Sequence, residues 1–152
     1  MLNFSINRAS ILYGQPKRSD ISRWLKSSLL QKYKNVFLNI SIVNKESSKN
    51  LNFSYRNKNY PTNVISLEYE DSTINNFLLS GDIILCHEII VQEAELQNKK
   101  IIDHYAHLIV HAILHLQGLD HENDDDAEIM EAEEIKILSK FGIPNPYKWK
   151  DL

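Results

Sequence analysis

Residues 99–121 read KKIIDHYAHLIVHAILHLQGLDH, and the rest of the chain is read outward from this stretch. Ile102, Tyr105, Ile109, Ala112 and Leu116 recur at three- and four-residue spacing. That period predicts one long amphipathic helix from about Lys99, ending at Gly118, a residue suited to the left-handed turn that stops a helix. Five of the six histidines, His104, His107, His111, His115 and His121, fall within eighteen residues. Each helical residue advances by about 100°, so His111 and His115 share a face and their imidazoles can converge on one ion. The same arithmetic pairs His107 with His111 and sets His104 about 20° from His111, so phasing alone leaves the ligand choice open.

The residues just beyond the helix narrow that choice. A left-handed Gly118 turns the chain back, and Leu119 and Asp120 carry His121 toward the helix face. The pattern His111-x-x-x-His115-x-x-Gly118-x-x-His121 has the spacing and the glycine of the long zinc-protease motif. That motif places a glutamate directly after its first histidine as general base, and here the position is Ala112, whose methyl group takes no proton. The ligands of a zincin-like metal site are therefore expected without the usual peptide-hydrolysing base. Three neutral imidazoles leave the full charge on Zn²⁺ and a fourth position open, and water bound at such sites has a pKa of about 7. An uncompensated cation favours an anionic substrate oxygen, so phosphodiester hydrolysis fits better than peptide hydrolysis. Asp120 has two readings: a group that orients a ligand imidazole or handles a proton, or a further acid flanking the helix. Cys86 reads as a core thiol in an apolar strand, the alternative being a fourth ligand that closes the site.

Upstream, Asn3–Ile6 alternates as a short strand, and Ser19 or Asp20 is positioned to cap a helix running through Trp24, Leu25, Leu29 and Leu30 to about Lys34. Val36–Val43, Thr62–Tyr69 and Asp82–His87 read as strands, with Gly81 marking a tight turn or bulge, and Glu46–Tyr55 reads as a helix. Downstream, Asp124–Lys140 fits a helix with three aspartates at its positive end, and Gly142, Pro144 and Pro146 come after it as stop signals. Strands and helices in irregular order predict an α+β fold, a small mixed sheet of about four strands packed with about five helices.

The 152 residues, 43% of them apolar, fit a single domain spanning 1–152. Four glycines, four prolines and 24% charged residues exclude collagen-like, low-complexity and disordered classes. A lone cysteine excludes an internal disulfide, no apolar run approaches a membrane span, and the strand-like opening MLNFSINR lacks a signal-peptide core. The expectation is a soluble, cytoplasmic domain. Its net charge of −3 hides an asymmetry: residues 1–60 carry eleven Lys/Arg against two acids, whereas residues 61–152 carry six against eighteen. Nine of those acids lie between Asp120 and Glu134. The basic half suits a polyanionic partner, and two solvated faces of opposite sign are the plainer alternative.

The histidine run, together with Leu51-Asn52-Phe53-Ser54-Tyr55-Arg56, Pro61-Thr62-Asn63-Val64-Ile65-Ser66, Gly81-Asp82-Ile83 and Phe141–Tyr147, resembles the YbeY family. Its members are bacterial rRNA maturation factors, single-strand-specific metal-dependent endoribonucleases, and the likeness covers most of residues 36–147. The resemblance implies His111, His115 and His121 as ligands of one Zn²⁺ and Arg56 as the functional arginine facing the metal cleft. Arg56 suits that role because its planar fork can hold two phosphate oxygens. Also implied are single-stranded RNA, ribosomal RNA and the small ribosomal subunit as partners, 3′-end processing of the small-subunit RNA, and ribosome quality control, with no membrane or DNA partner. Three positions depart from the family pattern: Ala112 for glycine, Asn59 for aspartate and Leu67 for phenylalanine. The rival readings are a zinc-dependent peptidase, disfavoured by Ala112, and a non-catalytic assembly factor in which zinc staples the helix to its following loop.

Overall fold

In a computed structural model that describes residues 1–70, 77–119 and 122–151, four strands form one sheet: β1 (Leu2–Arg8), β2 (Asn35–Val43), β3 (Val64–Glu68) and β4 (Leu78–Cys86). The order across the sheet is β1-β2-β4-β3, with β1, β2 and β4 parallel and β3 antiparallel to β4, the mixed sheet expected. Strict alternation in β2 buries Val36, Leu38, Ile40 and Ile42 and leaves Asn35, Phe37 and Asn39 exposed, so one side of this strand meets the core and the other meets water. On that open side, Ser5 and Asn39 are register partners, as are Asn39 and Asp82. A hydrogen-bond ladder runs along this row: Ser5 donates to Asn39 (2.6 Å), Asn39 to the Tyr69 hydroxyl (2.7 Å), and Tyr69 to Asp82.

Five α-helices are present among the described residues: α1 (Arg18–Ser28), α2 (Lys45–Arg56), α3 (His87–Leu96), α4 (Ile101–Leu116) and α5 (Asp124–Ser139). The helix read as amphipathic, α4, is the core itself: eleven of its sixteen residues are buried, more than one stripe can account for. It packs against α1, α3, α5, β3 and β4, and its histidines therefore begin inside the molecule. Asn44 and Asn123 cap α2 and α5 by accepting from the backbone N–H groups of Ser47 (2.9 Å) and Asp126 (2.8 Å).

Three expectations need correction. Lys17, rather than Ser19 or Asp20, is the N-cap of α1, and Asp20 reaches back from the first turn to accept the Lys17 N–H at 3.0 Å. That helix stops at Ser28, six residues short of Lys34, because the Gln117 side chain receives the Leu30 N–H (2.8 Å) and donates to the Ser28 carbonyl (2.7 Å). Gly81 makes no turn; it lies within β4, where a Cβ would fall 2.4 Å from the Leu67 carbonyl oxygen of β3. The strand ends at Cys86 and His87 opens α3, a helix for the segment that the sequence pattern leaves unassigned.

Candidate metal centre

The C-terminal end of α4 builds the site. Gly118 has φ +100°, its N–H bonds to the His115 carbonyl at 3.0 Å, and the Leu119 N–H bonds to the Leu114 carbonyl at 3.1 Å. These are the paired bonds of a left-handed glycine stop, with Leu119 packed on the core as the turn's apolar anchor. The helix ends where its last histidine emerges from the protein. His104 and His107 are buried, His111 is half-buried and His115 is exposed, so successive turns carry imidazoles from the core to the surface.

Glu134 organises the inner part of this row. It is fully buried on α5, and its Oε2 lies 2.8 Å from Nδ1 of His111 and 3.3 Å from Nε2 of His107. Tyr147 donates from its hydroxyl to Oε1 of the same carboxylate, and that hydroxyl is 3.1 Å from His107 Nε2. Burial works against the Glu134 charge, but the hydrogen bonds from His107 and His111 outweigh it and hold the carboxyl at about 2. Burial pushes His107 below the usual histidine range, and the neutral ring still donates one N–H. A second pair lies deeper: His104 Nε2 meets Glu93 Oε1 of α3 at 3.0 Å, and Asn63 donates to both Glu93 oxygens (3.0 and 3.3 Å). The Asn63 side-chain oxygen in turn accepts the Val64 N–H, fixing the start of β3.

This arrangement suits a metal ligand. A carboxylate on one ring nitrogen of His111 fixes the tautomer and directs the lone pair of Nε2 outward, the usual support for a metal-binding imidazole. His115 stands one turn on, its Cβ about 5–6 Å away by helix geometry. His121 and Asp120, the third expected ligand and its neighbour, lie outside the described residues. Among the described residues no three His, Cys, Asp or Glu side chains form a metal-binding group, so Cys86 does not join His111 and His115 in one. Cys86 is instead core: 1% exposed at the start of α3, with burial pushing its thiol up and a hydrogen bond to Ser48 opposing that.

Arg56 closes α2 and is exposed, and among the described residues it has no hydrogen-bond or ion-pair partner. The helix is positioned by Ser48, which donates to the Thr62 carbonyl (3.0 Å) and accepts the Thr62 N–H (2.9 Å), and by buried Asn52, which donates to the Tyr60 carbonyl (2.8 Å). The two resembling segments, 51–56 and 61–66, are thus one packed unit. Sequence reading missed Glu134, Tyr147 and Glu93. For Glu134 the signal existed: with Met130, Ile137 and Leu138 it repeats at helical spacing on the buried side of α5.

No helix among the described residues is long and apolar enough to cross a membrane. The family model described as "Endoribonuclease YbeY" matches residues 7–142. A protein of that name from Neisseria meningitidis serogroup C is 40% identical over 151 residues, covering 97% of this chain and 87% of the relative. Another from Burkholderia lata is 42% identical over 134 residues, covering 88% and 75%. The solution structure of TM1509 from Thermotoga maritima is similar in fold, with a TM-score of 0.56 and 23% identity over 97% of this chain and 93% of that one. By its extent of match to the family model and its identity to these relatives, the chain belongs to the endoribonuclease YbeY family.

Proposed function

We propose that this chain is a zinc-dependent endoribonuclease that cuts single-stranded RNA, with precursor small-subunit rRNA as its substrate in 3′-end maturation and ribosome quality control. The observation that carries the reading is the buried Glu134 on His111 Nδ1, a preset imidazole one turn before an exposed His115. His111 and His115 would hold the ion through their outward nitrogens, with His121 as the third donor. When bound, zinc supplies Lewis acidity and lowers the pKa of a water molecule toward 7.

The other steps fall to the chain's own residues. Glu134 keeps the His111 ring oriented, with Nδ1 on the carboxylate and the Nε2 lone pair left for the ion. Arg56, exposed and without a protein partner among the described residues, would grip two oxygens of the scissile phosphate and stabilise charge gathering there. The excess of lysine and arginine among residues 1–60 would attract the RNA backbone, giving binding that weakens as salt rises. Ala112 is buried in the core and offers no base for peptide hydrolysis.

The test is digestion of precursor small-subunit rRNA by the wild-type chain, by Arg56→Ala and after chelation. Cutting by the wild type alone supports the reading. Undiminished cutting after complete removal of metal would refute it.

A further inference from the structure

A cavity of about 370 Å³, lined by none of Arg56, His111 and His115, lies between the turn joining α3 to α4 and the chain that leaves α5. One wall is the sequence Gln97-Asn98-Lys99-Lys100, in which Asn98 takes φ +53° and the Lys99 N–H returns to the Ala94 carbonyl at 2.9 Å. The other wall runs from Ile143 to Trp149, its backbone stiffened by Pro144 and Pro146. The volume is within the range of small-molecule sites.

The lining has three properties that together specify a ligand. First, Lys99, Lys100 and Lys148, three of the six basic residues that residues 61–152 contain against eighteen acids, all line this one cavity; Lys100 and Lys148 are exposed, whereas the Lys99 ammonium is buried. A single carboxylate, Asp103, shares it. Second, Trp149 presents a half-buried indole beside Ile143 and the prolines, an apolar wall that accepts a flat ring. Third, the lining residue Gln97 has a buried side-chain oxygen with no hydrogen-bond partner among the described residues, an acceptor that an exocyclic amine or a ribose hydroxyl would satisfy. Cations, a stacking surface and an unmet acceptor are the needs of a nucleotide. The cavity is also tied to the metal centre, because Tyr147, between Pro146 and Lys148, donates to the Glu134 carboxylate that holds His111.

We propose that this cavity is a subsite for one unpaired ribonucleotide of the RNA outside the scissile position, its base against Trp149 and its phosphate between the exposed Lys100 and Lys148. The proposal rests on the nuclease reading for the identity of its ligand. Stacking and phosphate contacts both tolerate sequence, so the subsite selects single strands rather than a particular base.

Of the two tryptophans, Trp24 is 3% exposed in the core, so a ligand-induced fluorescence change reports on Trp149. The full chain, with and without zinc, is titrated with 5′-AMP, adenosine, inorganic phosphate and an unstructured oligoribonucleotide. Saturable quenching by 5′-AMP is expected, at least about tenfold weaker with adenosine or phosphate, and competed by the oligoribonucleotide. Reversing the two exposed lysines, K100E/K148E, should weaken 5′-AMP binding at least about tenfold and raise KM for single-stranded RNA with kcat unchanged. His111→Ala should bind 5′-AMP as the wild type does. No quenching, equal affinity for phosphate alone, no competition by RNA, or an unaffected K100E/K148E protein would each overturn the subsite. An active nuclease whose Trp149 ignores 5′-AMP removes this proposal alone; a protein that binds 5′-AMP and RNA but never cuts removes the nuclease reading alone.

Discussion

Glu134 Oε2 lies 2.8 Å from His111 Nδ1, joining two helices through a carboxylate that is completely buried. The bond orients an imidazole at the end of a core helix and also consumes the charge of an acid that could not stand alone there. Replacing Glu134 with Gln keeps the volume but gives His111 a weaker acceptor. Zinc affinity should fall by roughly 10- to 100-fold, as it does when such supporting groups are removed. Competition against a chromogenic chelator measures this directly, and unchanged affinity would show that the bond does not support a ligand.

Arg56 and His111 should separate metal binding from cutting. Arg56 is exposed with no partner among the described residues, so Arg56→Ala should change stability by no more than about 0.5 kcal/mol, keep stoichiometric zinc and lose RNA cleavage. His111→Ala should lose both zinc and cleavage. Metal analysis and thermal melting of the two variants, beside a cleavage assay, check all three quantities. An Arg56→Ala protein that cuts normally would remove the arginine from the reaction.

Much of the helix that carries the candidate ligands was legible because its determinants are local. The three- and four-residue spacing from Ile102 to Leu116 and the stop at Gly118 are properties of one segment, and the structure follows them within two residues at each end. Glu134 carried a legible spacing too, but it closes a run of nine acids, and that composition favours a solvated face. Only the partners supplied by His107, His111 and Tyr147 make its burial tolerable, and these come from other parts of the chain. The end of α1 depended on Gln117, 87 residues beyond Leu30, so no local reading could place it. α3 was invisible for a different reason: it buries only His87, Ile90 and Ala94, too few positions to set up a period, and it begins directly where β4 ends.

The Glu93–His104 pair predicts a limit to acid stability. Burial raises the Glu93 carboxyl, but hydrogen bonds from His104 and Asn63 outweigh it and set it below its ordinary 4.5. A carboxyl depressed in the folded state contributes stability that is complete above 4.5 and is lost as pH falls through the folded value. The wild-type chain should therefore lose stability on acidification below pH 4.5, and Glu93→Gln should flatten that part of the profile while lowering stability at neutral pH. Denaturant unfolding from pH 7 to 3 measures both slopes, and parallel profiles would exclude the pair as the source.

Two glycines should respond to alanine for different reasons. At Gly81 the added methyl would sit 2.4 Å from the Leu67 carbonyl oxygen and 3.3 Å from its carbon, so the clash is with the backbone of a paired strand and no side chain can move to relieve it. Gly81→Ala should cost about 1–3 kcal/mol, the range for overpacking, by forcing β3 and β4 apart beside Asp82. Gly118 has open space where its Cβ would be, and its φ of +100° is the obstacle. Gly118→Ala should cost about 1–2 kcal/mol through backbone strain. The consequences for metal differ as well. Relief of the strain at residue 118 re-aims the chain leaving α4, so Gly118→Ala should weaken zinc binding more than Gly81→Ala does, even where its stability loss is smaller. Chemical denaturation and zinc titration of both variants test this ordering, and a zinc affinity that simply tracks stability would show that the turn does not position the third ligand.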